Sequence, residues 1–452
     1  MARVPAFLNP KLARAAALFA RGGRFRFRLK GAGRRRIFAG SVFLMEAEDK
    51  VTTPRERAKL RAVVAVFYFM QGVVFSSWAS RIPDVKIALG LNDAEVGGIL
   101  FAIPAGQLAM MAVSGWLVGR FGSRNCLAAA VVSYGLTLVC CGLVAQWGTP
   151  HLLFFGLFLW GCAGNLHNIA VNTQGVGVER LYGRSIMATF HGLWSLAGFL
   201  AGLASSFLTA HGILPWEHFV GACALNLTLL ALLIRRTLPR DAAKQRALAE
   251  QGAGTPETPR RRFALRDPFI FTLGVLAAVC MGCEGVMYDW SGIYFADVVK
   301  PGEALVRLGY VASMFAMTSG RLVADFFITR FGQVRVVQAC SAATALGLLL
   351  AVAFPSAVPA ALGFLLVGFG VSAVVPICYS LSGESPSVPV GKAIAAVSTV
   401  GFLGFLLGPP VIGFISEALG SLRWALGLVA LVAASSVFTA RLLRGFAREE
   451  KP

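Results

Sequence analysis

From residue 61 to residue 443 the chain alternates long apolar runs with short clusters of charge, glycine and proline. About 20 apolar residues coiled as an α-helix match the hydrocarbon thickness of a bilayer. Twelve runs reach that length, near 61–82, 94–118, 125–147, 151–175, 186–209, 216–235, 268–297, 305–328, 333–354, 357–380, 392–416 and 422–443. The pattern predicts an all-α membrane protein with twelve transmembrane helices. An even number of crossings returns both termini to one face. The stretch GNLHNIAVNTQ, 164–174, breaks the pattern inside the fourth run by placing Asn165, His167, Asn168, Asn172 and Gln174 where lipid satisfies none of them.

Composition supports the membrane assignment. Of 452 residues, 56% are hydrophobic and 14% charged, too few charges to solvate a soluble protein of this size. The 50 glycines suit helices that pack closely in lipid. All nine cysteines fall in apolar segments. Cys280 and Cys283 have redox or metal spacing, but no second cysteine or histidine pair accompanies them, so they are read as small buried hydrophobes. The five histidines show no metal spacing, and neither HExxH nor GxSxG occurs. These features predict no metal, no cofactor and no enzymatic activity.

The net charge of +20 raises nucleic-acid binding as a reading, and its distribution argues against it. The first 44 residues hold 11 Lys/Arg and no acid. Beyond them, with both termini cytoplasmic, 25 basic residues fall on the cytoplasmic side and 5 on the outer side, with Arg321 inside a span. This is the positive-inside bias of a membrane protein. It predicts a lipid bilayer, not a nucleic acid, as partner; the bacterial inner membrane is the location implied by the family resemblance given below. The segment RGGRFRFRLKGAGRRR within the first 44 residues is too polar to span. Three readings stay open for it: a surface-binding segment, a targeting segment, or translation upstream of a start at Met45.

The domain division follows: 1–58, a basic extension with little fixed structure; 59–235, six helices; 236–267, a Gly-, Pro- and charge-rich cytoplasmic linker; 268–445, six helices; 446–452, a cytoplasmic tail. The halves rhyme. Arg120-Phe121-Gly122 follows the second span and Arg330-Phe331-Gly332 the eighth, 210 residues later. A tripeptide repeated at one topological position marks duplicated halves.

Gly115, Arg120, Gly122 and Arg124 match the loop signature of the major facilitator superfamily, which this chain resembles from about residue 60 to 445. The chain departs from that signature at Gly119, where the family usually has Asp, and the second copy has Thr329 there. SSWASRIPDVK, FHGLWSLAG, CEGVMYDWSGIYF and GFLLGPPVIGFIS are similar to the fucose-permease branch of sugar:proton symporters, and the glycine–proline motif of the drug antiporters is missing from the fifth span. The resemblance implies two pseudo-symmetric six-helix bundles around a central cavity lined by helices 1, 4, 7 and 10. It also implies a cytoplasmic latch at Arg120, Arg124 and Arg330, with Asp325 substituting for the lost acid and Arg321, one turn earlier, as its partner.

The polar residues within the spans give candidates for that cavity. Asn165, Asn168 and Asn172 share one helical face. Facing lipid, each would cost several kcal/mol. They are expected to line a polar pathway; the alternative is adhesion between helices, which is the reading for His167 and Gln174. Tyr68, Gln71, Phe75 and Trp78 give the first span a matching aromatic and amide face, and Tyr379 is the candidate on the tenth. Glu284 and Tyr288 share a face of the seventh span, with Asp289 about 7–8 Å farther along and roughly 140° around. A carboxyl withdrawn from water takes up a proton more readily, so Glu284 and Asp289 are the proton-coupling candidates. The alternative is a structural ion pair of Glu284 with His191 or Arg321. The chain is expected to act as a monomer, importing a small sugar-like solute with a proton. The rival is proton-coupled efflux of amphipathic compounds.

Overall fold

A computed structural model describes residues 53–182, 186–239, 264–385, 388 and 390–448. The expectations for the basic extension, for most of the 236–267 linker and for Arg184 and the last residues of the tail lie outside that range. Among the described residues twelve helices are long and apolar enough to cross a membrane, and there is no strand. They are α1 (Pro54–Leu89), α2 (Asp93–Phe121), α3 (Ser123–Trp147), α4 (Pro150–Tyr182), α5 (Thr189–Ala210) and α6 (Pro215–Arg236) in the first half. The second half has α7 (Pro268–Asp289), α8 (Glu303–Phe331), α9 (Gln333–Ala353), α10 (Ala357–Ser382), α11 (Lys392–Leu419) and α12 (Leu422–Leu443).

Local chemistry sets several boundaries. Asn92 and Glu95 form a reciprocal capping box at the start of α2, with bonds of 2.8 and 2.9 Å. Asp267 accepts from the Phe269 and Ile270 amides, and Pro268 opens α7 where no amide donor is needed. The predicted run 268–297 is not one helix. It breaks at Trp290, where Ser291 donates to the Met287 carbonyl at 2.5 Å, and resumes as a short helix and a π-helical turn to Val299. The two RFG loops share more than letters. Gly122 and Gly332 have φ 83° and 82°, so both copies turn through the same left-handed conformation that favours glycine.

The halves pack alike: α2 on α4 and α8 on α10, α3 on α6 and α9 on α12. Between the halves, the first turns of α2 lie against α11, and α5 lies against α8, the pseudo-symmetric equivalent. At the end away from the termini the halves are tied together. Arg307 at the start of α8 pairs with Asp84 of α1 and donates to the Ser80 carbonyl at 3.0 Å. Lys86 holds Asp93 at 2.5 Å and also Asp297 of the other half, and Ser416 of α11 donates to Asp93. Gly97 packs against Gly413 so closely that a Cβ on Gly97 would sit 2.5 Å from the Pro409 carbonyl oxygen.

Candidate functional site

Below this seal, between the two halves, lies a cavity of about 580 Å³. Helices α1, α2, α4, α5, α7, α8, α10 and α11 line it, with Tyr134 from α3. It widens toward the termini end. Along α4, which runs in that direction, Asn165 is 8% exposed, whereas Asn172 is half-buried and Asn168 exposed.

All three asparagines reach the cavity, but they are not equivalent. Asn172 donates to the Asn168 carbonyl at 2.8 Å and to its side-chain oxygen at 2.6 Å, and accepts from the Tyr68 hydroxyl at 2.8 Å. The Tyr68 ring is stacked on Phe190 at 5.0 Å. Asn165, by contrast, has an Oδ1 with no partner. Gln71 lines the cavity deeper than Tyr68. His167 and Gln174 point elsewhere: His167 is fully buried against Tyr134, and Gln174 bonds Ser123 at 2.7 Å and the Leu238 backbone, tying α4 to its neighbours.

Glu284 sits at the centre. Its Oε1 accepts from Tyr288 Oη at 2.5 Å and from Arg321 Nη2 at 3.1 Å. The other arm of Arg321 donates to Ser195 of α5, so a chain of polar contacts crosses from one bundle to the other. Phe75, Trp194 and Tyr288 enclose this chain, with ring centroids 5.2 to 6.1 Å apart. Asp289, the last residue of α7, also lines the cavity. Tyr379 lines it from α10.

A sequence model of the Major Facilitator Superfamily matches residues 64–386 and 302–452. An MFS-type transporter of Yersinia pestis is 32% identical over 376 residues, covering 83% of this chain and 93% of that one. The chain belongs to the major facilitator superfamily. It is therefore a membrane transporter and not an enzyme. Solved structures share the fold. The nucleoside transporter NupG superposes with a TM-score of 0.68 at 17% identity, over 85% of this chain and 99% of that one. The E. coli fucose:proton symporter gives 0.52 at 17%, over 85% and 98%.

The transporter departs from the sequence expectations in two places. Trp78 does not line the cavity. It is 1% exposed and packed on Trp160 and Phe219, because Phe75, one turn earlier, stacks on Trp160 and covers that layer. The expected latch at the termini end is also not formed among the described residues. Arg120 lies over the Trp116 and Phe121 rings, Arg124 bonds Thr237 within its own bundle, and Arg330 and Asp325 are exposed without an ion pair. Arg321 turns inward to Glu284 instead of along its own helix to Asp325. The bundles are tied at the opposite end, where Asp84, Lys86, Asp93, Asp297 and Arg307 make the cross-bundle contacts. Sequence reasoning also missed Gln107, Trp194 and Ser195, from α2 and α5. Gln107 and Ser195 carried a usable signal as polar residues inside apolar runs.

Proposed function

We propose that this transporter moves a small polar, sugar-like solute by alternating access, with a proton carried at Glu284. The observation that carries the reading is the Glu284–Arg321–Ser195 chain crossing between the bundles inside a cavity walled by amides and rings. Ring faces stack on the C–H faces of a sugar, and the amides of Gln71, Asn165, Asn168 and Asn172, with Tyr68, Tyr288 and Tyr379, bond its hydroxyls. A proton on Glu284 removes the charge that holds Arg321. The guanidinium is then held by its bond to Ser195 alone, and the cross-bundle contact changes strength with protonation. That is a way for proton binding to bias the rocking of one bundle against the other.

The excess of basic residues at the termini end supports a cytoplasmic orientation for both termini, and the Yersinia pestis relative supports a bacterial inner membrane. On that orientation the sealed end faces outward and the described state is inward-open. Arg120, Arg124 and Arg330, with Asp325, are positioned to meet when that end closes. The cavity is lined by one chain, which supports the monomer as the working unit.

Uptake of labelled hexoses into vesicles, with and without an imposed pH gradient, tests the reading. Accumulation driven by the gradient is expected in the native protein. Glu284→Gln is expected to lose it while retaining solute exchange. Unchanged accumulation in that variant overturns the coupling role. Raised drug tolerance on expression, with no sugar uptake, would favour efflux instead.

A further inference from the structure

The cavity holds three charged side chains, Glu284, Arg321 and Asp289. Glu284 and Arg321 neutralise each other at 3.1 Å. Asp289 belongs to none of the ion pairs among the described residues and receives no hydrogen bond. The remaining titratable lining group near them, His191, is set edge-on to Tyr68 on the opposite bundle. Among the charged lining groups, Asp289 is therefore the one without a partner among the described residues.

A half-buried carboxylate without a partner is costly, and a bound cation removes that cost. A carboxylate accepts and does not donate, so the complement of Asp289 is a donor. An alkylammonium carries three donors and no acceptor. The rings of Phe75, Trp194 and Tyr288 stand in the same space, and aromatic faces attract cations while they repel anions. A carboxylate-bearing solute meets an unfavourable charge here, because the guanidinium that would greet it is already taken by Glu284.

We propose that the solute is a hydroxylated amine of amino-sugar size, and that Asp289 holds its ammonium group. The inference rests on the cavity being the transport site and names the substrate class of that site. Glu284 keeps the proton; Asp289 keeps the solute's charge.

The test uses the full-length protein in liposomes and three matched sets of probes: neutral hexoses, their amino counterparts glucosamine and galactosamine, and the corresponding uronates. Binding is read by competition and by thermal stabilisation, and transport by uptake and by the charge moved per solute, one for a neutral sugar with its proton and two for a cationic one. The amino sugars are expected to bind at least about ten-fold tighter than the neutral hexoses, the gain of one charge-assisted contact. The uronates are expected to bind weakest. Asp289→Asn is expected to lower the amino sugars to the level of the neutral hexoses, while Asp289→Glu retains the preference. If Asp289→Asn does not fold, the wild-type ranking and the Asp289→Glu variant decide. Equal binding of neutral and amino sugars, a preference for uronates, or a preference untouched by Asp289→Asn overturns this assignment and leaves a neutral-sugar transporter standing. Failure of the native protein to bind or move any of the probes overturns the transport-site reading and this inference together.

Discussion

Arg321 and Glu284, on adjacent helices of one bundle, lie 3.1 Å apart, and the same guanidinium reaches Ser195 on the other bundle. A pair that only stabilised the second bundle would have no reason to touch the first. The contact joins charge at α7 to the packing of α5 against α8, the surfaces that separate or slide in the proposed alternating access.

Removing one member of this pair strands the other. Arg321→Gln is expected to lower stability by about 1–3 kcal/mol, the cost of an unpaired group in a partly wet site. Combining it with Glu284→Gln should recover much of that loss. Thermal melting of the purified single and double variants checks this, and additive losses in the double variant would show that the two residues are not coupled.

The cross-bundle contacts at the sealed end hold the described state. Arg307→Ala breaks the pair with Asp84 and the bond to the Ser80 carbonyl. It is expected to raise the population open at that end. A single cysteine placed there, in a background lacking the native ones, should react several-fold faster with a membrane-impermeant thiol reagent in the variant. An unchanged labelling rate would mean that the helix packing alone keeps the end shut.

Close backbone approach supports the same seal. In Gly97→Ala the new methyl meets the Pro409 carbonyl at 2.5 Å, so α2 and α11 must part. Overpacking of this kind costs about 1–3 kcal/mol. The cost falls only on the state sealed at that end, so turnover is expected to drop while solute binding from the far side persists. Binding and uptake measured on one preparation separate the two.

The amide stripe divides by partner. Asn172→Ala loses bonds to Tyr68 and Asn168, and should cost about 1 kcal/mol of stability. Tyr68→Phe should cost a similar amount, and the double variant less than the sum. Asn165 has no such partner, so Asn165→Ala is expected to leave the melting temperature near the native value and to weaken solute binding. A melting shift in Asn165→Ala as large as that in Asn172→Ala would place Asn165 among the structural amides.

Much of this was written along the chain. Spans of fixed apolar length, the charge bias between their ends and the RFG repeat are local or periodic properties, and hydrocarbon thickness reads them directly. Twelve helices and two halves follow from them. Glu284 was legible because an acid in an apolar run is rare and expensive. The choice of partners was not legible. Arg321 has Asp325 one turn away on its own helix, yet it pairs with Glu284, 37 positions back, because α8 packs with its Arg321 face toward the cavity and Asp325 lies beyond the cavity rim. Arg81, Lys86 and Arg307 read only as the few cations on the minority side, and docking of the bundles brought acids from distant segments to Lys86 and Arg307. Trp78 and Phe75 look alike in sequence, and one neighbouring ring, Trp160, separates a buried residue from a cavity wall. Which residues enter lipid is decided by transfer energy summed along one segment; which polar groups meet is decided by contacts between segments, and those exist only once the helices have packed.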